Sequence, residues 1–122
     1  MAANELKLDP LPYSPWDQDV RIWRADGVVH TSVPHSVIWH SPDGFEYGYA
    51  GSGPADLALN ILNAFVPPSV EDSMPCFRGC CSCFAAIHHQ QFKAEFITPI
   101  KGSVEILKAE TIRAWIAQRS ED

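Results

Sequence analysis

Residues 41–66 read SPDGFEYGYAGSGPADLALNILNAFV, and this stretch decides the fold. Residues 41–44 are typical of a tight turn, because proline presets φ and glycine accepts a positive φ. Residues 45–49 then alternate aromatic side chains with Glu46 and Gly48, which is the period of a half-buried strand. The stretch therefore predicts a strand that passes through a glycine-rich corner into a helix.

The helix of this stretch is predicted to begin at Pro54, because proline lacks the N–H that a helix start leaves unpaired. Ser52 or Gly53 is the expected cap, and Asp56 is expected to favour the helix dipole from the first turn. Apolar side chains cover most of the circumference from residue 55 to residue 66, and two prolines follow. This pattern predicts a central helix that is buried nearly all round.

The run GFEYGYAGSGPADLALNIL, residues 44–62, resembles the signature of a family of small phage and bacterial proteins with a domain of unknown function. In that family an aromatic-Gly-Tyr-Gly-Gly-Ser-Gly-Pro run leads into an Ala/Leu-rich helix. A weaker similarity extends from about Arg21 to Ile116, while Tyr47, Ala50 and Lys108 depart from the pattern. The departure at Lys108 implies a last helix with a weaker cap. The resemblance implies a phage or mobile-element setting and a fold, but no activity.

The totals indicate a single globular domain, since the chain has 122 residues, 46% of them hydrophobic and 20% charged. A formal net charge of −6 argues against direct nucleic-acid binding, which depends on Lys and Arg. The first residues resemble no signal peptide and no apolar run is long enough to span a bilayer. We therefore expect no membrane contact and a cytoplasmic location, in the host cytoplasm if the chain is phage-encoded, with reduced cysteines.

Residues 1–18 are predicted to form an extended arm, pinned to the body by Tyr13 and Trp16 or left loose, and residues 19–122 a single domain. Asp26-Gly27 is a strong hairpin signal between two short apolar runs. A third strand at 37–39 is expected to pair, through the turn, with a fourth at 45–49.

The second half of the chain is predicted to contain two helices and one strand. A loop covers residues 69–79, a helix runs from Cys80 or Cys81 to Ile97, a strand covers 103–107 and a helix covers 110–118. The expected fold class is α+β, with a small antiparallel sheet of four to five strands and about three helices packed mainly on one face.

The glycine-rich corner is a candidate site for a small anionic ligand, because free N–H groups at a helix start favour a phosphate or carboxylate. The order G-x-x-G-x-G is not a dinucleotide fingerprint, and no lysine follows as in a phosphate loop. The alternative is that the glycines only allow strand and helix to pack closely. The candidate ligand-binding residues are Tyr49, Gly51, Ser52, Gly53, Arg24 and Arg113.

Four cysteines and a nearby histidine suggest a metal site. Zinc sites usually combine two well-separated ligand pairs, whereas these thiols fall within eight residues. The spacing therefore favours idle reduced thiols over a zinc site. The metal candidates are Cys76, Cys80, Cys81, Cys83 and His88.

Large aromatic residues in the amino-terminal half are candidates for a protein-binding surface, because such side chains are enriched at interfaces. The candidate interface residues are Trp23, Trp39 and Tyr47. No motif assigns a nucleophile or an acid–base pair, so we expect no enzyme and no cofactor. The favoured function is a non-catalytic binding protein of phage origin that binds a host protein, in counter-defence or regulation. The alternatives are a protein that sequesters nucleotides at the glycine-rich corner and a small zinc-binding protein. The oligomeric state stays open.

Overall fold

Three α-helices and five short strands make up the part of the chain that the computed structural model describes, residues 7–11 and 14–120. In chain order they are β1 (Val20–Ala25), β2 (Val28–Thr31), α1 (Ser52–Phe65), β3 (Met74–Pro75), β4 (Cys80–Cys81), α2 (Cys83–Phe92), β5 (Val104–Leu107) and α3 (Ala109–Ser120). The α+β class is confirmed.

The main sheet has three antiparallel strands in the order β2-β1-β5. The predicted hairpin joins β1 to β2, and its turn residues Asp26 and Gly27 both have positive φ, 53° and 77°. Positive φ at both central positions gives a turn whose twist matches that of the flanking strands. Strand β5 pairs with the other edge of β1, so β2 and β5 are the two edge strands of this sheet.

The predicted third and fourth strands, residues 37–39 and 45–49, do not form. Ile38 makes only an isolated bridge to Arg78, and residues 45–49 run without a partner strand. Most backbone N–H groups of residues 36–41 bind side chains of α1 instead of a neighbouring strand. This difference from the prediction has its cause in the buried polar side chains of α1, which the next subsection describes.

Helix α1 is the centre of the fold, as its composition predicts. Every residue from Gly53 to Phe65 is buried. The helix begins at Ser52, two residues before the predicted start, because Gly51 is extended and its carbonyl accepts the N–H of Ala55 at 3.0 Å. It ends where Pro67 and Pro68 prevent continuation.

The predicted second helix is divided into two parts and starts later. Cys80 and Cys81 pair with β3 in a small hairpin, and Ser82 then caps α2 by accepting the N–H of Ala85 at 3.1 Å. From Lys93 to Ile97 the helix widens into a π-helical turn. Helix α3 has a cap from far away in sequence, since Asp19 accepts the N–H of Ala109 at 2.8 Å. The expectation of a weakly capped last helix was therefore wrong.

The two faces of the main sheet differ in burial. The inner face is in the hydrophobic core with the helices, and its buried residues are Val20, Ile22, Val29 and Leu107. The outer face carries Trp23 between its cross-strand neighbours His30 and Val104. Val28, Val104 and Ile106 are 54%, 62% and 48% exposed. No described helix is long and apolar enough to cross a membrane.

Several described residues of the predicted arm contact the rest of the chain. The N–H of Trp16 binds the carbonyl of Ala64 at 2.9 Å, at the end of α1. Asp9 and His35 exchange two hydrogen bonds of 2.9 and 3.0 Å. Tyr13, the other predicted contact, lies outside the described residues.

Candidate functional site

Three polar side chains of α1 form a stripe inside the core. Asp56, Asn60 and Asn63 are all fully buried. Their spacing of four and three residues places them on one helix face. A buried polar group is costly unless it is hydrogen-bonded, so the partners of this stripe determine what the fold can build around it.

Asp56 holds the turn that follows residue 38. Its carboxylate accepts the backbone N–H groups of Trp39, His40 and Ser41 at 3.2, 3.0 and 2.9 Å. Three donors converge on one carboxylate, as at an anion site. The turn is therefore fixed through its main chain, and the side chains of Trp39 and His40 are not needed for this attachment.

Asn60 holds the segment one step earlier. Its carbonyl oxygen accepts the N–H groups of Ser36 and Val37 at 2.7 and 3.1 Å, and its amide donates to the carbonyl of Val37 at 2.9 Å. The amide also donates to the carbonyl of Asp56 at 2.8 Å. Asn60 thus binds both the N–H and the carbonyl of Val37, as a neighbouring strand would.

Asn63 connects this segment to the β3–β4 hairpin. Its oxygen accepts the N–H of Ser82 at 2.9 Å, and its amide donates to Ser36 Oγ and to the carbonyl of Cys80, each at 3.2 Å. The stripe therefore ties two irregular segments to one rigid helix.

The stripe fixes one wall of a surface groove beside β2. Two adjoining depressions of about 380 and 320 Å³ make up this groove, which we call the β2 groove. Strand β2 forms one side, and residues 35 and 43–46 form the other. The residues shared by both depressions are Val29, His30, His35 and Phe45.

The edge of β2 that faces the groove has unpaired backbone groups. The N–H of Ser32 binds the carbonyl of Arg21 at 3.0 Å, which sets the alternation of the β1–β2 ladder. Hydrogen-bonded and non-bonded pairs alternate in an antiparallel ladder, and Val29 and Thr31 fall at non-bonded positions. Their N–H and C=O groups therefore point away from β1, and no backbone bond joins them to another described segment.

Two stacked aromatic pairs line the groove. His35 lies on Phe45 with ring centroids 4.0 Å apart, and Trp23 lies beside His30 at 5.5 Å. Burial lowers the pKa of His35, so this ring is neutral at neutral pH. Flat, rigid walls of this kind favour contact with side chains that carry apolar or planar groups.

The charge along the groove is negative. Asp9 and the exposed Asp43 contribute carboxylates at its ends. Glu46 is paired with Arg24 at 2.8 Å, and this hydrogen bond holds the pKa of the Glu46 carboxyl below its usual value. The groove therefore offers more negative than positive charge to a ligand.

The glycine-rich corner is tightly packed. A Cβ on Gly51 would meet the Tyr49 ring at 2.6 Å, and one on Gly53 would meet Glu46 Cβ at 2.8 Å. Ser52 is exposed at the helix start, and no side chain caps α1. The contact with Glu46 supplies a packing reason for Gly53, whereas the Tyr49 ring beside Gly51 is 51% exposed.

The two arginines proposed for this corner lie in different surroundings. Arg24 is bound to Glu46, and its guanidinium lies 4.9 Å from the centre of the Tyr47 ring. Arg113 is on α3 and donates to the carbonyl of Asp17 at 3.3 Å. Arg113 therefore contacts the amino-terminal segment. The charge of Arg24, which lies nearer the corner, is neutralised by Glu46.

The three candidate interface aromatics are not equivalent. Trp23 is half-buried on the outer sheet face and also lines the β2 groove. Trp39 is 36% exposed, whereas Tyr47 is only 5% exposed and donates its hydroxyl to the carbonyl of Gly102. The structure therefore places Tyr47 in the core and leaves Trp23 and Trp39 at the surface.

The cysteine cluster is spread over two environments. Cys80 and Cys83 are exposed, and Cys76 and Cys81 lie together, one half-buried and one buried. His88 packs on the Phe84 ring with centroids 4.4 Å apart. Within residues 7–11 and 14–120, no three His, Cys, Asp or Glu side chains are arranged to hold a metal ion.

A pair of histidines that sequence spacing did not reveal joins the turn to α2. His89 Nδ1 lies 2.9 Å from the carbonyl of Ala86 and 3.1 Å from that of Ala85, so this nitrogen carries the proton. Its Nε2 then accepts the Nε2–H of His40 at 2.9 Å. Burial lowers the pKa of His89, which keeps the acceptor neutral. The residues are 49 positions apart, so only the folded chain shows the pair.

Comparison with known proteins yields one family and no annotated relative. No curated protein and no solved structure matches the chain. The part that contains β1, β2, α1 and both walls of the β2 groove, residues 16–74, matches the model of a family of unknown function (DUF6166).

Proposed function

We propose that the protein is a non-catalytic binding module that takes up an extended segment of a partner polypeptide along the open edge of β2. The observation that carries this proposal is the pair of unbonded backbone positions, Val29 and Thr31, which face a preformed groove. An extended segment can add to such an edge as a further strand, with affinity from main-chain hydrogen bonds.

The side walls favour this mode of binding. In an added strand, alternate side chains point to opposite faces of the sheet. One set would lie over Trp23 and His30 on the outer face, and the other would enter the groove towards His35 and Phe45. The outer face is already apolar, since Val28 is 54% exposed. Both sets of partner side chains would therefore contact aromatic rings of this protein.

The groove charge selects the chemistry of the partner segment. Asp9 and Asp43 favour a segment with lysine or arginine near its ends, and the net charge of −6 acts in the same direction at long range. We therefore propose a partner that presents a short extended stretch with apolar or aromatic side chains between basic ones.

The test uses a library of random displayed peptides, followed by calorimetric titration of an enriched peptide. Thr31→Pro removes one edge N–H without touching a backbone bond between β1 and β2, because Pro is tolerated where an edge N–H faces outwards. We expect it to weaken binding about five- to tenfold, the value of roughly one hydrogen bond. Circular dichroism establishes that the variant is folded.

Two controls isolate the edge N–H. Thr31→Val loses the same hydroxyl bond to the Arg21 carbonyl but keeps the N–H, so it should bind like the wild type. Val104→Pro removes an outward N–H from β5, at the opposite edge of the sheet, and should also bind normally. The proposal fails if no peptide is enriched or if the two Thr31 variants bind equally.

The biological setting is proposed from the sequence resemblance. A phage or prophage origin, a host protein as partner and a cytoplasmic role in counter-defence or regulation fit a small acidic binding module. Position of the gene beside defence genes would support this setting. Position within a metabolic operon of a host chromosome, without phage genes nearby, would contradict it.

A further inference from the structure

A pair of thiols in the β3–β4 hairpin lies outside the β2 groove and has no role in the proposed binding. Cys76 Sγ and Cys81 Sγ are 3.3 Å apart. A disulfide needs about 2.0 Å between the sulfurs. A small rotation of either side chain therefore brings them within bonding distance.

The fold selects this pair among the four cysteines. Cys80 and Cys83 are exposed at the surface, whereas Cys81 is fully buried and Cys76 half-buried against it. The N–H of Cys83 is bound to Asp72 at 3.2 Å, which fixes that residue at the start of α2. Sequence alone could not choose between the pairings, because the cysteines are separated by so few residues.

The hairpin frame keeps the pair together. Met74 is paired with Cys81 in the ladder, and the N–H of Cys76 binds the carbonyl of Gly79 at 3.1 Å to close the turn. A Cβ on Gly79 would meet the carbonyl oxygen of Ser36 at 2.5 Å, so the turn lies directly on the segment that α1 holds. Both sulfurs are thus presented from a fixed backbone.

We propose that Cys76 and Cys81 are a reversible oxidation site that forms an intramolecular disulfide with hydroperoxides. The Cys76 thiolate attacks one peroxide oxygen, the O–O bond breaks, and Cys76 becomes a sulfenic acid while the other oxygen leaves as water or alcohol. Cys81 Sγ then attacks the Cys76 sulfur, the S–O bond breaks, and the oxygen leaves as water with the Cys81 proton. Two thiols are oxidised and one peroxide is reduced; a dithiol reductant reverses the change.

Access assigns the order of the two steps. Cys76 is the member of the pair that solvent reaches, and Cys81 is enclosed, so Cys76 meets the peroxide and Cys81 resolves the intermediate. Burial raises the pKa of the Cys76 thiol, so the first step should accelerate as the pH rises. The disulfide would cross-link the β3–β4 hairpin, in which the carbonyl of Cys80 accepts a hydrogen bond from Asn63.

The experiment treats the reduced full-length chain with hydrogen peroxide, blocks the remaining thiols with iodoacetamide, and maps the peptides by mass spectrometry. Before alkylation, the oxidised chain should weigh about 2 Da less than the reduced chain, the mass of the two hydrogens removed when a disulfide forms. Cys80, Cys81 and Cys83 share one peptide, so fragment ions should place the link between Cys76 and Cys81 and the alkyl groups on Cys80 and Cys83. Dithiothreitol should reverse the change.

Matched variants sharpen the assignment. Cys76→Ser should abolish the mass loss, and Cys80→Ser, in the same hairpin, should retain it. Because the peptide map of the wild type needs no substitution, it decides even if a variant fails to fold. A Cys80–Cys83 link, oxygen adducts without a link, or disulfide-bonded dimers would overturn the proposal.

Discussion

Residues 20–31 and residues 37–49 have the same kind of sequence signal, two apolar runs joined by a turn, but only the first forms a strand pair. In residues 20–31 the backbone groups bind each other across a two-residue turn. In residues 37–49 the N–H groups near the turn bind Asp56 and Asn60 of α1. The comparison teaches that polar side chains of a helix can bind the backbone N–H groups that a neighbouring strand would otherwise bind.

The largest effect on this comparison should come from Asp56→Ala. The change leaves three N–H groups without their acceptor beside the core, and each unpaired buried donor costs roughly 1–3 kcal/mol. We expect about 4 kcal/mol less free energy of unfolding in urea titrations. Asp43→Ala, at the exposed position in the following turn, is the control and should cost little. Similar losses for both variants would show that the stripe does not hold the segment.

Acid should weaken the second region by a smaller amount. Burial lowers the pKa of His89, so the folded chain disfavours its protonated form. Stability from this group is complete above the ordinary histidine pKa of about 6.5 and is lost as the pH falls below that value. Urea titrations between neutral and mildly acidic pH should show this slope, and His89→Gln should reduce it to the part from His35 and His88, whose pKa values burial also lowers. An unchanged slope in the variant would assign the proton uptake to another group.

The first region depends on the backbone conformation of its turn. Gly27 has a φ of 77°, and its Cβ position is open space. Gly27→Ala should therefore cost about 1 kcal/mol through the backbone alone. Gly27→Asn is the matched control, because asparagine tolerates this conformation and should lose less. Thermal unfolding measures both, and a larger loss for the asparagine variant would contradict a backbone cause.

The smallest effect should come from Glu46→Gln, which removes the ion pair that connects the two regions. The side chains of Arg24 and Glu46 are 35% and 34% exposed, so water screens most of their attraction. We expect a slight shift in the urea midpoint that disappears at about 0.5 M salt, where charges are strongly screened. A large shift that persists in salt would contradict a weak, water-screened ion pair.

Much of the fold follows from local patterns. The Asp26-Gly27 turn, the all-round apolar α1 and the two carboxy-terminal elements were predicted, because each depends on neighbours in sequence. The absent strands were not, because the preference of Val37 for a strand is overridden by Asn60, more than twenty residues later. Three polar residues in an otherwise buried helix were the available signal, and Asp56 was misread as a dipole partner.

The candidate site was less predictable than the fold. The aromatic alternation indicated Trp23 as a surface residue, and the structure places it at the β2 groove. The groove itself depends on His35 and Phe45, which meet only after the turn is attached to α1. In the glycine-rich corner, Gly53 has a packing reason in Glu46, while the prediction of ligand binding there stays a prediction.

Because Asp56 and Asn60 bind main-chain atoms, the exposed side chain of Trp39 takes no part in attaching the loop at residues 36–41 to α1. Exposed positions such as Trp39 are therefore suited to diversification, much as a hypervariable loop is carried by a constant frame. A substitution there would change the surface of the protein without removing a bond that attaches the loop to α1.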